Sequence, residues 1–173
     1  MKYLEEDKLK QLLQIIQDKP AQRIVHFAEE DHTLIKILDN FCEKQKNDYY
    51  LHCITKSFYD DAIIKNKNKI HMQITHFNLK RSSYMFQGIE FDYLITTLDF
   101  FKADKNLFLQ KCYPIIRTGG NIIIFIPKTN YVQRDEWQAI LEEQYYVSTN
   151  IIDDLFNDYD IIVSKRMHGW GNK

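Results

Sequence analysis

The residues best suited to chemistry lie in one short turn, between an apolar run that ends at Ala28 and a helical pattern that begins near Leu34. Residues 26–32 read His-Phe-Ala-Glu-Glu-Asp-His. Three carboxylates at the start of a helix oppose a phosphate, because they offset the positive end of the helix dipole. The turn therefore disfavours dinucleotides and nucleoside triphosphates. A simpler role for these carboxylates, stabilising the first turn of the helix, remains open.

A metal site is the second chemistry to weigh in this turn. His26 and His32 flank it, and Glu29 or Glu30 would complete a ligand set. The spacing matches neither H-E-x-x-H nor a zinc-finger pattern. The sequence therefore predicts no metal site, and His26 is interpreted as a satisfied polar residue at the end of a strand.

A second group of residues is basic and interleaved with aromatic side chains. Its cations are Lys65, Lys67, Lys69, Lys80 and Arg81, with Phe77, Tyr84 and Phe86 among them. Such a mixture binds single-stranded nucleic acid through phosphate contacts and stacking. The alternative is a solvated strand edge and loop, since lysine is common where a sheet edge must resist aggregation.

The first half of the chain alternates helical and strand patterns. An amphipathic helix over 4–17 precedes a strand over 24–28, and a helix capped by Asp31 or Thr33 follows. Tyr49–Thr55 is predicted as a second strand, and Ser57 as the cap of a helix that ends at Lys65. Further predictions are an edge strand over 70–75, a long connection over 76–90 and a buried strand over 91–97.

The second half continues the alternation and closes with a hairpin. We predict a helix over 104–113, a buried strand over 121–126 and a helix from about Arg134. The last two strands, 145–152 and 159–165, have no helix between them and should pair antiparallel. The pattern predicts a three-layer α/β/α sandwich with a mostly parallel sheet.

Composition narrows the protein class. The 173 residues are 45% hydrophobic and 27% charged, with a net charge of −1, which predicts one globular domain over 1–173 and no global attraction to nucleic acid or membrane. The three cysteines are expected to be buried free thiols. With no leader-like N-terminus and no long apolar run, we expect a cytoplasmic protein with no membrane partner.

Two motifs and the order of elements resemble the class I S-adenosylmethionine-dependent methyltransferases. Residues 91–97 (Phe-Asp-Tyr-Leu-Ile-Thr-Thr) resemble the family's fourth strand. Residues 114–124 (Pro-Ile-Ile-Arg-Thr-Gly-Gly-Asn-Ile-Ile-Ile) resemble its entry to strand five. The resemblance implies a seven-stranded sheet in the order 3-2-1-4-5-7-6, with S-adenosylmethionine as cofactor.

The cofactor motif of that family departs from its pattern here. The first acid of D-x-G-x-G-x-G is replaced by His26, and its three glycines by Ala28, Glu30 and His32. Where the backbone needs a positive φ, a side chain costs about 1 kcal/mol or more. A Glu or His side chain would also fill cofactor volume. The ribose-binding acid after strand two is replaced by Thr55 and Lys56.

The resemblance still assigns roles to individual residues. It implies that the chain from His26 through Phe27 and Ala28 to Glu29 holds the methionine part, and that Asn78 lies near the adenine. It also implies that Asp99, the acid that follows the fourth strand, orients the nucleophile.

Two functions follow from this mixture of retained and lost motifs. One is methyl transfer from S-adenosylmethionine to an unidentified small molecule or RNA. The other is a non-catalytic, methyltransferase-like binding or scaffolding module without the cofactor, whose partner is RNA, another protein or a second copy. The C-terminal Trp170 is expected to fold back onto the sheet or to mark a partner surface.

Overall fold

The apolar runs of the sequence form one sheet, covered by helices on both faces. The computed structural model describes residues 4–17, 19–85, 88–100, 102–128 and 132–167. Its helices are α1 (Glu6–Leu12), α2 (His32–Gln45), α3 (Lys56–Lys65), α4 (Lys102–Cys112) and α5 (Val132–Glu143). Its strands are β1 (Arg23–Ala28), β2 (Asp48–Cys53), β3 (Met72–His76), β4 (Phe91–Thr96), β5 (Ile116–Pro127), β6 (Tyr146–Ile152) and β7 (Tyr159–Arg166).

The sheet has seven strands in the order β3-β2-β1-β4-β5-β7-β6, as predicted. The first five pair in parallel, while β7 pairs antiparallel with both β5 and β6. At the edge of the sheet that holds the strands' amino ends, Asp92 accepts a hydrogen bond from the Arg23 backbone N–H at 2.8 Å and so joins β4 to β1.

Alternation along the central strand divides the core between the two faces of the sheet. Ile24 and Ala28 belong to a cluster with apolar residues of α1, α2 and α3. Val25 and Phe27 belong to a second cluster with residues of α4 and α5. Both faces of β1 are therefore dry, as a central parallel strand requires.

Most predicted boundaries agree with the structure, and three differ in an informative way. The first helix ends at Leu12 and tightens into a 3-10 turn over Leu13–Ile15. The N-cap of α3 is Thr55, without a side-chain cap bond, so the prediction of Ser57 as cap was wrong. Strand β5 begins at Ile116, before the predicted start at Asn121, so the two glycines lie inside the strand. Near them, the register of β5 with β4 shifts between Phe91 and Tyr93.

Several composition-based predictions can be checked directly. Cys42, Cys53 and Cys112 are free and buried, as expected. None of the helices in the described part of the chain combines the length and the apolar character needed to cross a bilayer. Trp170 and Phe86 lie outside the described residues, so the expectations for them stay predictions.

Candidate active site

The turn after β1 is built without any left-handed residue. Across residues 28–32, all of which the structure describes, no φ is positive. The expected strain of side chains at glycine positions is therefore absent. Neighbouring strands hold the turn instead: the Ala28 carbonyl accepts from the Ile54 N–H at 3.0 Å, and the Phe27 carbonyl from the Thr97 N–H at 3.3 Å.

Asp31 organises the start of α2. Its Oδ1 accepts a hydrogen bond from the Leu34 N–H at 3.1 Å, which confirms the predicted N-cap. The side chain is only 3% exposed, and its Oδ2 has no hydrogen-bond partner among the described residues. Burial raises the pKa of Asp31 to about 7, against a smaller lowering by the Leu34 hydrogen bond. The cap is therefore largely protonated below neutral pH.

The side chains of His26 and Phe27 lie in the core. The His26 ring is fully buried, with Nδ1 2.9 Å from the Tyr49 hydroxyl. Burial lowers the pKa of His26 to about 3, with a smaller contribution from His52, so the ring is neutral at pH 7. Phe27 packs edge-on against Phe77 and Phe108 on the opposite face of the sheet. A ligand at the sheet edge can meet these two residues only through their backbone.

A cavity of about 550 Å³ opens beyond the carboxyl ends of β1, β4 and β5. We call it the acidic cavity, and its lining residues are Glu29, Glu30, Thr55, Thr97, Asp99, Pro127 and Tyr159. Glu29, Glu30 and Asp99 are exposed and form its wall. Glu30, expected to fill cofactor volume, instead lines an open space, within the range of about 300–1,000 Å³ that is typical of small-molecule sites.

A second cavity of about 350 Å³ adjoins the first. We call it the aromatic cavity, and its lining residues are Glu29, Leu79, Lys80, Tyr84, Leu98, Asp99, Phe100, Asp104, Leu107 and Phe108. Glu29 and Asp99 line both cavities. The two cavities therefore lie side by side, one polar and the other apolar and aromatic.

The connection between β3 and β4 forms one wall of the aromatic cavity. The Tyr84 hydroxyl donates to the Leu79 carbonyl at 2.8 Å, and Lys111 of α4 donates to the same carbonyl at 3.3 Å. Asn78, predicted to lie near the adenine, is exposed and accepts from the Lys80 N–H at 2.9 Å. Its neighbours Leu79 and Lys80 line the cavity, whereas Asn78 is not among the lining residues.

At the end of β2, a hydroxyl group lines the site, and the lysine that follows it pairs with a residue of α3. Thr55 lines the acidic cavity. Lys56 is held by Asp60, one helical turn along α3, at 2.7 Å. The position at which the resemblance implies a ribose-binding carboxylate therefore carries an uncharged side chain that both donates and accepts hydrogen bonds.

Sequence reasoning brought Glu29 and Asp99 into the site and missed several of their neighbours. Pro127 and Tyr159 are 32 positions apart but adjacent in register, because β7 runs antiparallel to β5. The predicted strand order already placed β7 beside β5, but the sequence does not show the register that makes Pro127 and Tyr159 partners. Tyr84 entered the sequence analysis only as a member of the predicted basic and aromatic group, and Phe108 only as a residue of a predicted helix.

The predicted basic group divides into paired and cavity-facing members. Lys65 pairs with Asp61 at 2.8 Å, and Lys69 with the buried Asp39. Lys80 lines the aromatic cavity, and Arg81 lies over the Phe77 ring. Nucleic-acid binding by this group stays a prediction. No cluster of potential metal ligands occurs among the described residues.

Similar solved structures identify the architecture around this site. An S-adenosylmethionine-dependent O-methyltransferase from Thermotoga maritima matches with a TM-score of 0.74 and 14% identity, over 96% of this chain and 67% of that one. A TehB-like methyltransferase from Corynebacterium glutamicum matches with a TM-score of 0.72 and 12% identity, over 92% and 87%. The chain has the class I methyltransferase fold.

Other matches set the limits of this similarity. Fibrillarin from Aeropyrum pernix, solved with bound S-adenosylmethionine, matches with a TM-score of 0.71 and 13% identity, over 90% of this chain and 72% of that one. The chain spans only 52% of human N-acetylserotonin methyltransferase. No family model matches the sequence, and no curated protein does. At these identities the similarity establishes the methyltransferase fold alone.

Proposed function

We propose that this chain binds S-adenosylmethionine across the two cavities and transfers its methyl group to an acceptor that enters through the acidic cavity. The observation that carries the proposal is that the carboxyl edge of the sheet is open where bulky residues replace the expected glycines. Glu29 and Glu30 line that space instead of filling it, and their backbone needs no positive φ.

The chemistry of the lining residues fits this ligand. S-adenosylmethionine combines an aromatic base with a sulfonium and an ammonium, and its net charge is positive. Tyr84, Leu98 and Phe100 supply apolar and aromatic surface for the base. Glu29 and Asp99 supply negative charge where the two cavities meet, and the Thr55 hydroxyl would hold the ribose.

Methyl transfer asks mainly for positioning from the protein. When bound, the cofactor supplies a methyl carbon that bonds to the acceptor's lone pair while its bond to sulfur breaks, the electron pair stays on sulfur, and the acceptor's proton leaves to solvent. Asp99 accepts a hydrogen bond from the acceptor and orients its lone pair. Pro127 and Tyr159, on the far wall of the acidic cavity, shape the acceptor's entry.

The second candidate is a non-catalytic module with the same fold. The observation that favours it is the end of β2, where Thr55 replaces a carboxylate and Lys56 is engaged by Asp60. Without a carboxylate to accept from both ribose hydroxyls, the cofactor loses a pair of charge-assisted hydrogen bonds. On this alternative the chain acts by binding a protein partner or a second copy.

Isothermal titration with S-adenosylmethionine separates the two candidates. We expect micromolar affinity, and at least about a tenfold loss in Glu29→Arg, because one substitution places a cation in both cavities. Glu142→Arg is the matched control, since Glu142 is exposed near the end of α5 and is a lining residue of neither cavity. Absence of binding at millimolar ligand would support the non-catalytic module. Methyl transfer is then tested by following S-adenosylhomocysteine formation with amine, phenol and RNA acceptors.

A further inference from the structure

The acidic cavity carries negative charge with no compensating cation in its lining. Three of its lining residues are carboxylates, Glu29, Glu30 and Asp99, and the others are the uncharged Thr55, Thr97, Pro127 and Tyr159. Among the residues whose side chains the structure describes, which exclude Lys102, no ion pair is formed by Glu29, Glu30 or Asp99. The charge of this lining therefore favours a cationic ligand over an anionic one.

The lysines nearest in sequence to the cavity walls are committed elsewhere. Lys56, beside Thr55, is bound to Asp60 at 2.7 Å. Lys128, beside Pro127, donates to the Phe156 carbonyl at 2.8 Å and pairs with Asp160 at 3.5 Å. Neutralising the cavity with either side chain would break these contacts. Lys80 lines the aromatic cavity and is not a lining residue of the acidic one.

The aromatic cavity supplies an independent constraint on where that positive charge lies. It meets the acidic cavity at Glu29 and Asp99, and Tyr84, Phe100 and Phe108 line it on the other side. Because Glu29 and Asp99 line both cavities, a ligand with an aromatic half in one and a polar half in the other would place the group that joins the halves near these two carboxylates. In S-adenosylmethionine the joining group is the charged sulfonium.

We infer that Glu29, together with Asp99, makes this site distinguish the methyl donor from the demethylated product by charge. S-adenosylmethionine and S-adenosylhomocysteine differ only at the sulfur, which is cationic in the first and neutral in the second. The chain therefore binds the donor more tightly than the product and releases the product readily. This inference rests on the proposed function, and its discriminating residue is Glu29.

The test is a titration of the wild-type chain and Glu29→Gln with three ligands. These are S-adenosylmethionine, S-adenosylhomocysteine and sinefungin, in which a protonated amine replaces the methylsulfonium. For wild type we expect both cationic ligands to bind on the order of tenfold more tightly than S-adenosylhomocysteine. In Glu29→Gln the two cationic ligands should weaken towards S-adenosylhomocysteine, whose own affinity should change by less than about twofold.

Salt and a control variant separate charge from shape. Raising the salt from about 0.05 M to about 0.5 M should narrow the donor-to-product ratio, because the lining carboxylates are exposed and screened. Glu142→Gln should leave all three affinities unchanged. Equal affinity of wild type for donor and product, or an equal loss of both in Glu29→Gln, would overturn the inference while leaving cofactor binding intact. Failure of all three ligands to bind would overturn the proposed function and the inference together.

Discussion

The turn after β1 and the glycine pair inside β5 hold their backbones in opposite ways. At the amino end of β5, Gly119 has a φ of +80°. A Cβ on Gly120 would lie 2.8 Å from Ile116 Cγ2 and 2.9 Å from the Arg117 and Asp92 carbonyl oxygens. That junction depends on missing side chains. The turn after β1 has no positive φ and depends on a side chain, Asp31.

The difference shows when a glycine motif is a requirement of the fold. In β5, Gly120 lets backbone approach backbone inside the sheet. Glycine is therefore required there by contacts within the protein itself. After β1 the chain faces an open cavity, and Ala28, Glu30 and His32 adopt ordinary backbone angles there. Glycines at that turn are therefore dispensable for this fold, and the identity of the side chains is free to set the charge of the site.

The largest expected effect comes from removing the charge of Asp31. Its pKa rises from 3.8 to about 7 on folding because the carboxyl is buried. Between these values the unfolded chain is ionised while the folded chain stays protonated. The contribution of Asp31 to the free energy of unfolding should therefore be greatest below about pH 4 and fall by about 1.4 kcal/mol per pH unit towards pH 7, about 4 kcal/mol in all. His26 and His52, whose pKa values burial lowers to about 3, contribute in the opposite sense over much of this range, so the contribution of Asp31 is measured as a difference between two proteins.

Asp31→Asn isolates this contribution. Asparagine keeps an acceptor for the Leu34 N–H and is neutral at every pH. The variant should lack only the part of the pH dependence that comes from Asp31, and it should exceed the wild type in stability at pH 8. Urea unfolding of both proteins from pH 4 to pH 8 measures the difference. Parallel pH profiles would mean that Asp31 is ionised in the folded chain and that the cap is solvated.

The next largest effect concerns the β5 junction. Gly120→Ala should destabilise the fold by about 3 kcal/mol, because two of the three atoms its Cβ meets belong to backbone that cannot rotate away. Gly119→Ala is the matched control. It has open space within 4 Å, and should cost only about 1 kcal/mol from its left-handed backbone. Equal losses in the two variants would show that crowding at Gly120 relaxes freely.

The fold could be predicted from the sequence because its determinants are repeated and local. Apolar runs such as those of β1 and β4 predict central parallel strands, and the helix-free connection between β6 and β7 predicts the hairpin. The order of strands followed from these patterns together with the resemblance. Predicted boundaries were wrong where a single residue decides them. Thr55 and Ser57 are both plausible caps of α3, and no sequence pattern shows which of them adopts the backbone angles of a cap.

The site was less predictable because it is assembled across the sheet. Thr55, Thr97 and Tyr159 meet only after β2, β4 and β7 have taken their places. The direction of a side chain in the β1 turn depends on its backbone angles, so Glu30 appeared from the sequence to obstruct a space that it lines. Asp99 was found because it directly follows a recognisable strand. The roles predicted for Asp99, Asn78 and the chain from His26 to Glu29 stay predictions.

The smallest expected effect is a difference in stability between glycine and alanine, compared at residue 30 in the β1 turn and at residue 119 in β5. At residue 30 the φ is not positive, so Glu30→Gly should be less stable than Glu30→Ala by about 0.5 to 1 kcal/mol, because glycine gains more freedom in the unfolded chain. At residue 119, where φ is +80°, the preference should be reversed, and glycine should be the more stable of the two by about 1 kcal/mol. Urea unfolding of the four proteins, with wild type supplying Gly119, measures both differences on the same scale. A stabilising effect of Glu30→Gly would mean that the backbone of the β1 turn is strained by the side chain at residue 30. The contrast between the β1 turn and the glycine pair of β5 would then disappear.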